Sequence, residues 1–572
     1  MKIKTIDAGI VLLYVLMILV STQFFFDDLG FDYSGYALRY NSFFESWLQE
    51  QHLGIPTRTF DSVLPGFLPF MVKLIGVGSF TLPLTISILI IRMIFPFVFV
   101  FLGKKFEFNS KLSFLVGIIF VFNPILFKFF NRFYEFTAWL FFVMAFASFY
   151  EFLKRKKFSK KFFGLSVFFV CLTALSHLGA LFFVCVSFLF LVETKQEIKK
   201  LLLTGLISTG IIGFWVIPFF SFLDYSIVQE QKGMLLTSTG ILTSGIFLTI
   251  ALITVFFAFR KFKEKQPKIN RLILGSFILS VIILLFPLIP IIAKPFAHSY
   301  HAFFIFVLLL AFLTLIKEGL IQKNHSLAVA AILLITVILI FPIIERQYLF
   351  EEPKLSEYNI KEISLLIKEV HEQSRFEVLP YNPVIHPVIA VEYHKLSLNG
   401  WGYNAYTLKE SDEIGEKMIS MKLSCEEFTK GIEKTATNYW IVLDEKAEEY
   451  LKKCMLKQKG MTKKFPKLYF YEKNSPLIEN GKLVEFSNEK VLIESYGGNV
   501  LVKQSFFPRW KAYQNGKELE IEDKKPGIKI LSTEKGFVEL RYEKTFADWA
   551  GIIISLVSII IFFFLMKKKS LD

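Results

Sequence analysis

Three carboxylates, Asp27, Asp28 and Asp32, crowd together just after the first apolar run, in the stretch FDDLGFDYSGYALRY. A carboxylate where a helix leaves a bilayer can take the proton of an incoming hydroxyl, or hold a divalent cation against a phosphate. Acids also follow spanning helices because the outer face prefers water, and both readings stay open for each residue. Farther along, Asn131-Arg132-Phe133-Tyr134-Glu135 places a guanidinium beside a further carboxylate. That pair could serve a phosphate-bearing substrate or be a local ion pair. His177, in Leu175-Ser176-His177-Leu178-Gly179, falls at a turn, where an imidazole either lines a site or is a satisfied polar residue. Arg92 lies deep in an apolar run, where a charge is expensive and faces a partner or a wet cavity. It could stabilise a diphosphate or form a structural pair. His298 and His301 are weaker candidates. Asp27, Asp28 and Glu135 are the candidate metal ligands, and a divalent cation such as Mg or Mn is left undecided.

The elements that must position these groups are membrane helices. Ile6 to Phe26 is long enough to span, follows Lys2 and Lys4, and lacks a small-residue cleavage site, so it reads as a retained helix with the N-terminus inside. Further spans are expected at about 80–102 and 112–126, then one ending at Lys154. Two short spans meet at the outer turn around His177, and the second returns to Lys195. Two more flank an outer loop with Asp224, Glu230 and Lys232, and another pair turns near Lys294 and His298. Helices at about 327–344 and 546–566 complete about twelve, with both termini cytoplasmic. The basic loops, Lys104-Lys105, Lys154 to Lys157, Arg260 to Arg271 and Lys567 to Lys569, alternate with the others as a cytoplasmic face requires. Merging the two short spans at His177 would invert everything downstream.

Composition agrees with a multi-pass protein of the cell membrane. Mean hydropathy is +0.50 and Phe alone supplies 68 of 572 residues, mostly in uncharged runs. The net charge of +15 sits in short loops between spans, so it is a topology signal and no nucleic-acid partner is expected. Walker loops, dinucleotide glycine fingerprints, Cys-x-x-Cys pairs and His-Glu-x-x-His motifs are missing from the sequence, and the inner loops are short. The usable surface is therefore outside: a first loop at 27–79, longer than a connector needs, and about 200 residues before the last helix. Within that loop, Ser42 to Gln51 has an amphipathic look and could lie along the interface.

The chain divides into a transmembrane domain at 1–344, an extracytoplasmic α/β region at 345–482, a small antiparallel β-sandwich at 483–545, the last helix at 546–567 and a cytoplasmic tail at 568–572. Ile360 to Val370 reads as helix and Tyr439 to Leu443 as a buried strand. Tyr496-Gly497-Gly498-Asn499, Gln514-Asn515-Gly516-Lys517 and Lys525-Pro526-Gly527 read as turns, Asn515-Gly516 being a strong hairpin signal. Cys171 and Cys185 are expected as small packing residues; an oxidising exterior could join Cys425 to Cys454, though spacing alone does not show proximity.

Three patches carry a resemblance to a known family. Gly30-Phe31-Asp32-Tyr33-Ser34-Gly35-Tyr36 through Leu53-Gly54-Ile55-Pro56 resembles an acidic outer loop followed by Gly-x-Pro. Arg132 to Glu135 and Ser176-His177 resemble later outer-face motifs. Ser505-Phe506-Phe507-Pro508-Arg509-Trp510-Lys511-Ala512-Tyr513 with Asn515-Gly516-Lys517 resembles a C-terminal "YFPGWKA…NGK" segment. Together they resemble the GT-C superfamily of polytopic glycosyltransferases, and within it the YfhO-like and archaeal "6-pyruvoyl-tetrahydropterin synthase-related" membrane proteins. Tyr36 stands where that family often has His, and Pro65-Gly66-Phe67 where it has a YPP-like motif. The resemblance implies sugar transfer from a polyprenyl-phosphate donor to a glycan, lipid or protein acceptor at the outer face, by inversion. It implies Asp32 as the base, with Asp28 second, Glu135 and His177 lining the same cavity, and Arg132 and Arg92 neutralising phosphate. The other classes carried forward are a lipid or glycan transporter, which would favour repeated halves and broken helices, and a non-catalytic assembly factor that binds through the β-sandwich.

Overall fold

A computed structural model describes residues 8–26, 64, 66–75, 82–122, 133–228, 267–285, 299–318 and, with short gaps, 360–567. The helical part comprises α1 (Ala8–Phe26), α2 (Phe67–Leu74), α3 (Leu82–Lys105), α4 (Ser110–Val121), α5 (Phe133–Lys154), α6 (Lys160–Ser176), α7 (Leu178–Leu191), α8 (Lys195–Ile211) and α9 (Gly213–Ser221). A short strand, β1 (Ser226–Val228), follows, then α10 (Pro267–Leu285) and α11 (Ser299–Lys317). Their shared core is rich in phenylalanine: Phe95 stacks on Phe136 at 4.8 Å, Phe149 on Phe188 at 3.9 Å and Phe183 on Phe303 at 4.8 Å. In lipid there is no hydrophobic drive between helices, so such dense ring packing supplies the dispersion contacts that hold them together.

Charge marks one end of this bundle. Lys154 at the end of α5 and Lys317 at the end of α11 both reach Glu107, at 3.6 and 3.3 Å. Lys268 of α10 pairs with Glu197 of α8, and Arg271 with Glu193. Lys200 Nζ donates to the carbonyl oxygens of Phe152 (2.9 Å) and Arg155 (2.6 Å). Lys105 and Arg155 both lie over the ring of Phe162, near the start of α6. The chain therefore leaves this basic end at α6 and is back there by Glu193. So α6 and α7 go out and return, with His177 at the far end. A backbone of extended shape at His177 (φ −165°) ends one helix and starts the next.

Three described helices are long and apolar enough to cross a membrane: Leu82–Lys105, Phe136–Lys154 and Phe546–Lys567. Several others are shorter, including α4 at 12 residues, which ends at Val121 rather than near position 126. The span expected ahead of the loop with Asp224 is instead broken: α8 and α9 meet at 76° around Ile212. The break frees backbone donors, which lipid cannot satisfy. Ser555, on the last helix, answers this by accepting from Phe214 N at 2.7 Å.

The C-terminal part begins with α12 (Ile360–Lys368), β2 (Arg375–Leu379), β3 (Leu396–Ser397), β4 (Tyr406–Leu408), α13 (Lys409–Ile419) and α14 (Cys425–Thr435). It continues through β5 (Thr437–Val442), α15 (Glu445–Lys453), β6 (Lys457–Met461) and β7 (Lys467–Phe470). A five-stranded sheet runs β3-β2-β5-β7-β6, parallel across β3, β2 and β5 and antiparallel beyond. Helices start where capping boxes allow: Ser424 and Glu427 cap α14 reciprocally, and Asp444 caps α15. Cys425 and Cys454 form a disulfide that ties the start of α14 to the end of α15. Cys171 is buried, as expected of a packing residue, whereas Cys185 is exposed.

The second C-terminal unit, the β unit, holds β8 (Ile478–Glu479), β9 (Gly481–Ser487), β10 (Lys490–Val502), β11 (Trp510–Gln514), β12 (Lys517–Leu519), β13 (Ile521–Asp523) and β14 (Ile528–Tyr542), followed by α16 (Phe546–Lys567). It is one seven-stranded antiparallel sheet rather than two separate ones, and β8 brings its start to a few residues before position 483. The Asn515-Gly516 hairpin forms as expected, with φ of +50° and +77° at its two loop residues. Gly497-Gly498 is not a turn. It is a bulge inside the 13-residue β10, with φ of +97° and +83°, and it shifts the register against β14. The bulge lets β10 and β14 bend so that each pairs with different partners at its two ends.

Candidate functional site

Packing fixes the depth of the candidate residues along the bundle. Helices α3 and α5 run parallel: Phe95 meets Phe136, and Phe106 meets Phe146 and Tyr150. Arg92 precedes Phe95 by one turn, and Glu135 directly precedes Phe136, so both stand on the side of that aromatic layer away from the lysine-rich end. In α7, Phe183 packs against Trp139 and Phe303, and His177 lies about 9 Å farther out along the helix axis. Arg92, the backbone of Glu135 and His177 thus occupy one layer in the half of the bundle away from the lysine-rich end, on α3, α5 and the α6–α7 turn.

Arg92 is 1% exposed. Its carbonyl oxygen accepts a hydrogen bond from Tyr14 of α1, which fixes the first helix against α3 at that level. Tyr14 is itself walled by Phe114 and Phe122, ring centroids at 5.9 and 6.1 Å. His177 is half-buried. The adjacent Leu175 carbonyl accepts from Leu64 N at 3.1 Å, so the chain that emerges from the first outer loop is tied to the His177 turn before α2 packs on α3. Asp27, Asp28, Asp32 and Arg132 lie outside the described residues, and of Glu135 only the backbone is described. The structure therefore brings together Arg92, the Glu135 position and His177 in depth, and leaves the acidic trio and Arg132 untested. Among the described residues no three His, Cys, Asp or Glu side chains gather in a way that could hold a metal.

Several residues that organise this end were not singled out in the sequence. Arg509 is buried and donates from Nε to Asp548 Oδ2 at 3.0 Å, with a second bond from its other nitrogen to Oδ1. It also lies over the rings of Phe222, Phe507 and Tyr542 at 5.2, 5.8 and 5.7 Å. Phe222 follows α9, Phe507 and Tyr542 belong to the β unit, and Asp548 is in the first turn of α16. The segment around Pro508-Arg509-Trp510 is thus an anchor that holds the β unit to the end of α9 and the start of α16. Asp548 also accepts from Thr545 N and Oγ1, at 2.8 and 2.9 Å, which caps α16. A bidentate guanidinium–carboxylate pair has a fixed geometry, so the anchor sets orientation as well as contact. The patch from Ser505 to Tyr513 included Arg509 but gave it no role, and its acid lies 39 residues away.

The last helix docks through small residues. A Cβ built on Gly551 would stand 2.7 Å from the Gly213 carbonyl oxygen, and one on Gly210 would stand 2.1 Å from Ser558 Oγ. Close backbone approach of this kind is the usual seam between membrane helices. The other side of α16, with Trp549, Ile553, Leu556, Ile560 and Phe564 exposed, suits lipid.

No family model matches the sequence, and no curated protein matches it. Solved structures do. Arabinofuranosyltransferase AftD from Mycobacteria superposes with a TM-score of 0.51 at 10% identity, over 95% of this chain and 58% of that one. Its R1389S variant gives 0.51 at 10% identity, over 96% and 61%. The oligosaccharyltransferase of Archaeoglobus fulgidus gives 0.48 at 11% identity, over 72% and 66%. The chain thus spans about three fifths of the length of the arabinofuranosyltransferase it resembles. With helices alternating in direction from a basic end, and sheet units carried at the other, the chain shares its fold with the arabinofuranosyltransferase AftD.

Proposed function

We propose that this protein is a membrane glycosyltransferase that moves a sugar from a polyprenyl-phosphate carrier to an acceptor at the outer face of the membrane. The observation that carries this reading is the layer formed by Arg92, the Glu135 position and His177 at the end of the bundle opposite the lysine-rich one, in a chain of GT-C fold. A lipid-linked donor diffuses in the bilayer, so a site at the outer half of the helices suits its phosphate. The disulfide in the α/β unit supports an oxidising, extracytoplasmic setting for the sheet units.

In this mechanism Asp32 accepts the proton of the acceptor hydroxyl. The freed oxygen forms a bond to the anomeric carbon from the face opposite the carrier, which inverts the configuration. The bond from that carbon to the phosphate oxygen breaks, and the lipid phosphate leaves with the electron pair. Arg92 and Arg132 offset its charge; a buried guanidinium is pre-organised for this. Glu135 and His177 line the pocket, and Asp28 is the second candidate base. Tethering of Leu64 to the His177 turn supports the view that the acidic loop belongs to this site.

The test is transfer from radiolabelled polyprenyl-phosphate sugars by the purified full chain in nanodiscs. Asp32→Asn is expected to abolish transfer while insertion and thermal stability stay unchanged. Full activity in that variant would remove Asp32 from the mechanism, and movement of labelled lipid across the bilayer without covalent product would favour a transporter.

A further inference from the structure

The β unit carries a solvent face whose two ends differ. On that face the register aligns Lys490 with Arg541, Leu492 with Glu539, Glu494 with Phe537 and Tyr496 with Lys535. Lys482 of β9 stands on the other side of Glu494. At one end the charges are consumed by one another: Lys490 reaches Glu485 at 3.0 Å and Glu539 at 3.7 Å, and Arg541 reaches Glu539 at 2.5 Å. At the other end Phe537 is 61% and Tyr496 59% exposed. They are diagonal neighbours across β10 and β14, about 7–8 Å apart and within reach of one ligand. Around them Lys482, Glu494 and Lys535 make no ion pair among the described residues.

Two outward rings on a rigid sheet cost free energy in water and offer flat apolar faces. Three unengaged polar groups beside them offer both donors and an acceptor. Other occupants fit this combination poorly. A polyanion would meet Glu494 in the middle of the patch. A stable protein partner needs about 800 Å² per side, more than two rings and three charges supply. A neutral sugar chain presents apolar C–H faces to rings and hydroxyls to carboxylate and ammonium groups, and it matches every feature.

We propose that Tyr496 and Phe537 form a platform for a neutral glycan, with Lys482, Glu494 and Lys535 bonding its hydroxyls, and that it holds the extended acceptor or product of the transfer reaction. The choice of ligand rests on the glycosyltransferase reading; the platform itself rests on the sheet register and exposure.

The experiment uses the full chain in nanodiscs and four probes: linear hexasaccharides of glucose, mannose, galactose and arabinose, read by saturation-transfer NMR. The wild type is expected to bind at least one. Tyr496→Ala with Phe537→Ala should weaken that binding about tenfold or more, while Tyr496→Phe with Phe537→Tyr should keep it. Both rings are exposed, so the alanine pair should melt like the wild type. Binding of none of the four probes, or equal binding by the alanine pair, overturns the proposal. The transfer assay separates the two claims. With the alanine pair, kcat on a monosaccharide acceptor should hold while KM for a long acceptor rises; an unchanged KM overturns the platform alone. Ring-dependent glycan binding by a protein that transfers no sugar overturns the enzyme reading and leaves the platform standing.

Discussion

Asp548→Asn is the sharpest perturbation of the anchor between the β unit and the bundle. The substitution keeps the shape of the side chain and removes its charge. Arg509 would then remain 7% exposed, with no carboxylate to answer its two bonds. Breaking one partner of a buried ion pair costs about 3–5 kcal/mol, because the survivor's charge stays desolvated. The rings of Phe222, Phe507 and Tyr542 lie over the guanidinium with or without the carboxylate, so their cation–π attraction leaves this difference unchanged. A net loss of about 3 kcal/mol lowers the docked-to-undocked ratio by about two orders of magnitude. The assay is limited trypsin digestion of the full chain in nanodiscs. Lys544 lies between the sheet and α16, and the preceding residue donates from Glu543 N to Arg509 O at 2.7 Å. Undocking frees this backbone, so cleavage after Lys544 should quicken about a hundredfold where reclosing outpaces cutting. Arg509→Met combined with Asp548→Leu should recover much of the loss, since no buried charge is then left alone. Unchanged cleavage in Asp548→Asn would refute the assignment of Arg509 as the anchor.

Further outcomes follow from single features. Gly551→Leu should displace α16 from α9 and lower the melting temperature, at about 1–3 kcal/mol, because its Cβ would press on the Gly213 carbonyl at 2.7 Å. Replacing Cys425 and Cys454 by serine should destabilise the α/β unit by about 2–4 kcal/mol, since the bridge closes a 29-residue separation; peptide mapping without reductant should show the bridge in the wild type. Glu448 accepts from Lys452, Lys467 and Tyr469, and the two lysines above all hold its carboxyl down to about 2. Its contribution is complete above the ordinary value of 4.5 and is lost as pH falls from there toward 2, so acid unfolding of the α/β unit should shift to higher pH in Glu448→Gln.

Much of this architecture could be read from residues alone, and the exceptions have physical causes. The gathering of Lys154, Lys200, Lys268 and Lys317 at one end of the described helices was legible because basic residues concentrate in short loops. The pair of short helices at His177 was hard to judge, since 17 and 14 residues are both below the usual spanning length. Asn515-Gly516 announced its hairpin through local backbone preference, whereas Gly497-Gly498 gave the same local signal and became a bulge. That choice was made by β14, which pairs with β10 on both sides of the glycines. The break at Ile212 was hidden because hydropathy runs through it unbroken, and the compensating hydroxyl comes from Ser555, far away in the chain. Of the site, residue types suggested Arg92, Glu135 and His177, but their common depth emerged only from ring contacts between helices distant in sequence. The Arg509–Asp548 pair was illegible for the same reason.

The most direct test of the central claim is a cryo-EM reconstruction of the full chain in nanodiscs with a polyprenyl-phosphate sugar bound. The account predicts phosphate density in the outer half of the bundle, within reach of Arg92 and between α3, the start of α5 and the His177 turn. Phosphate density at the lysine-rich end, beside Lys105, Arg155 and Lys200, would contradict it.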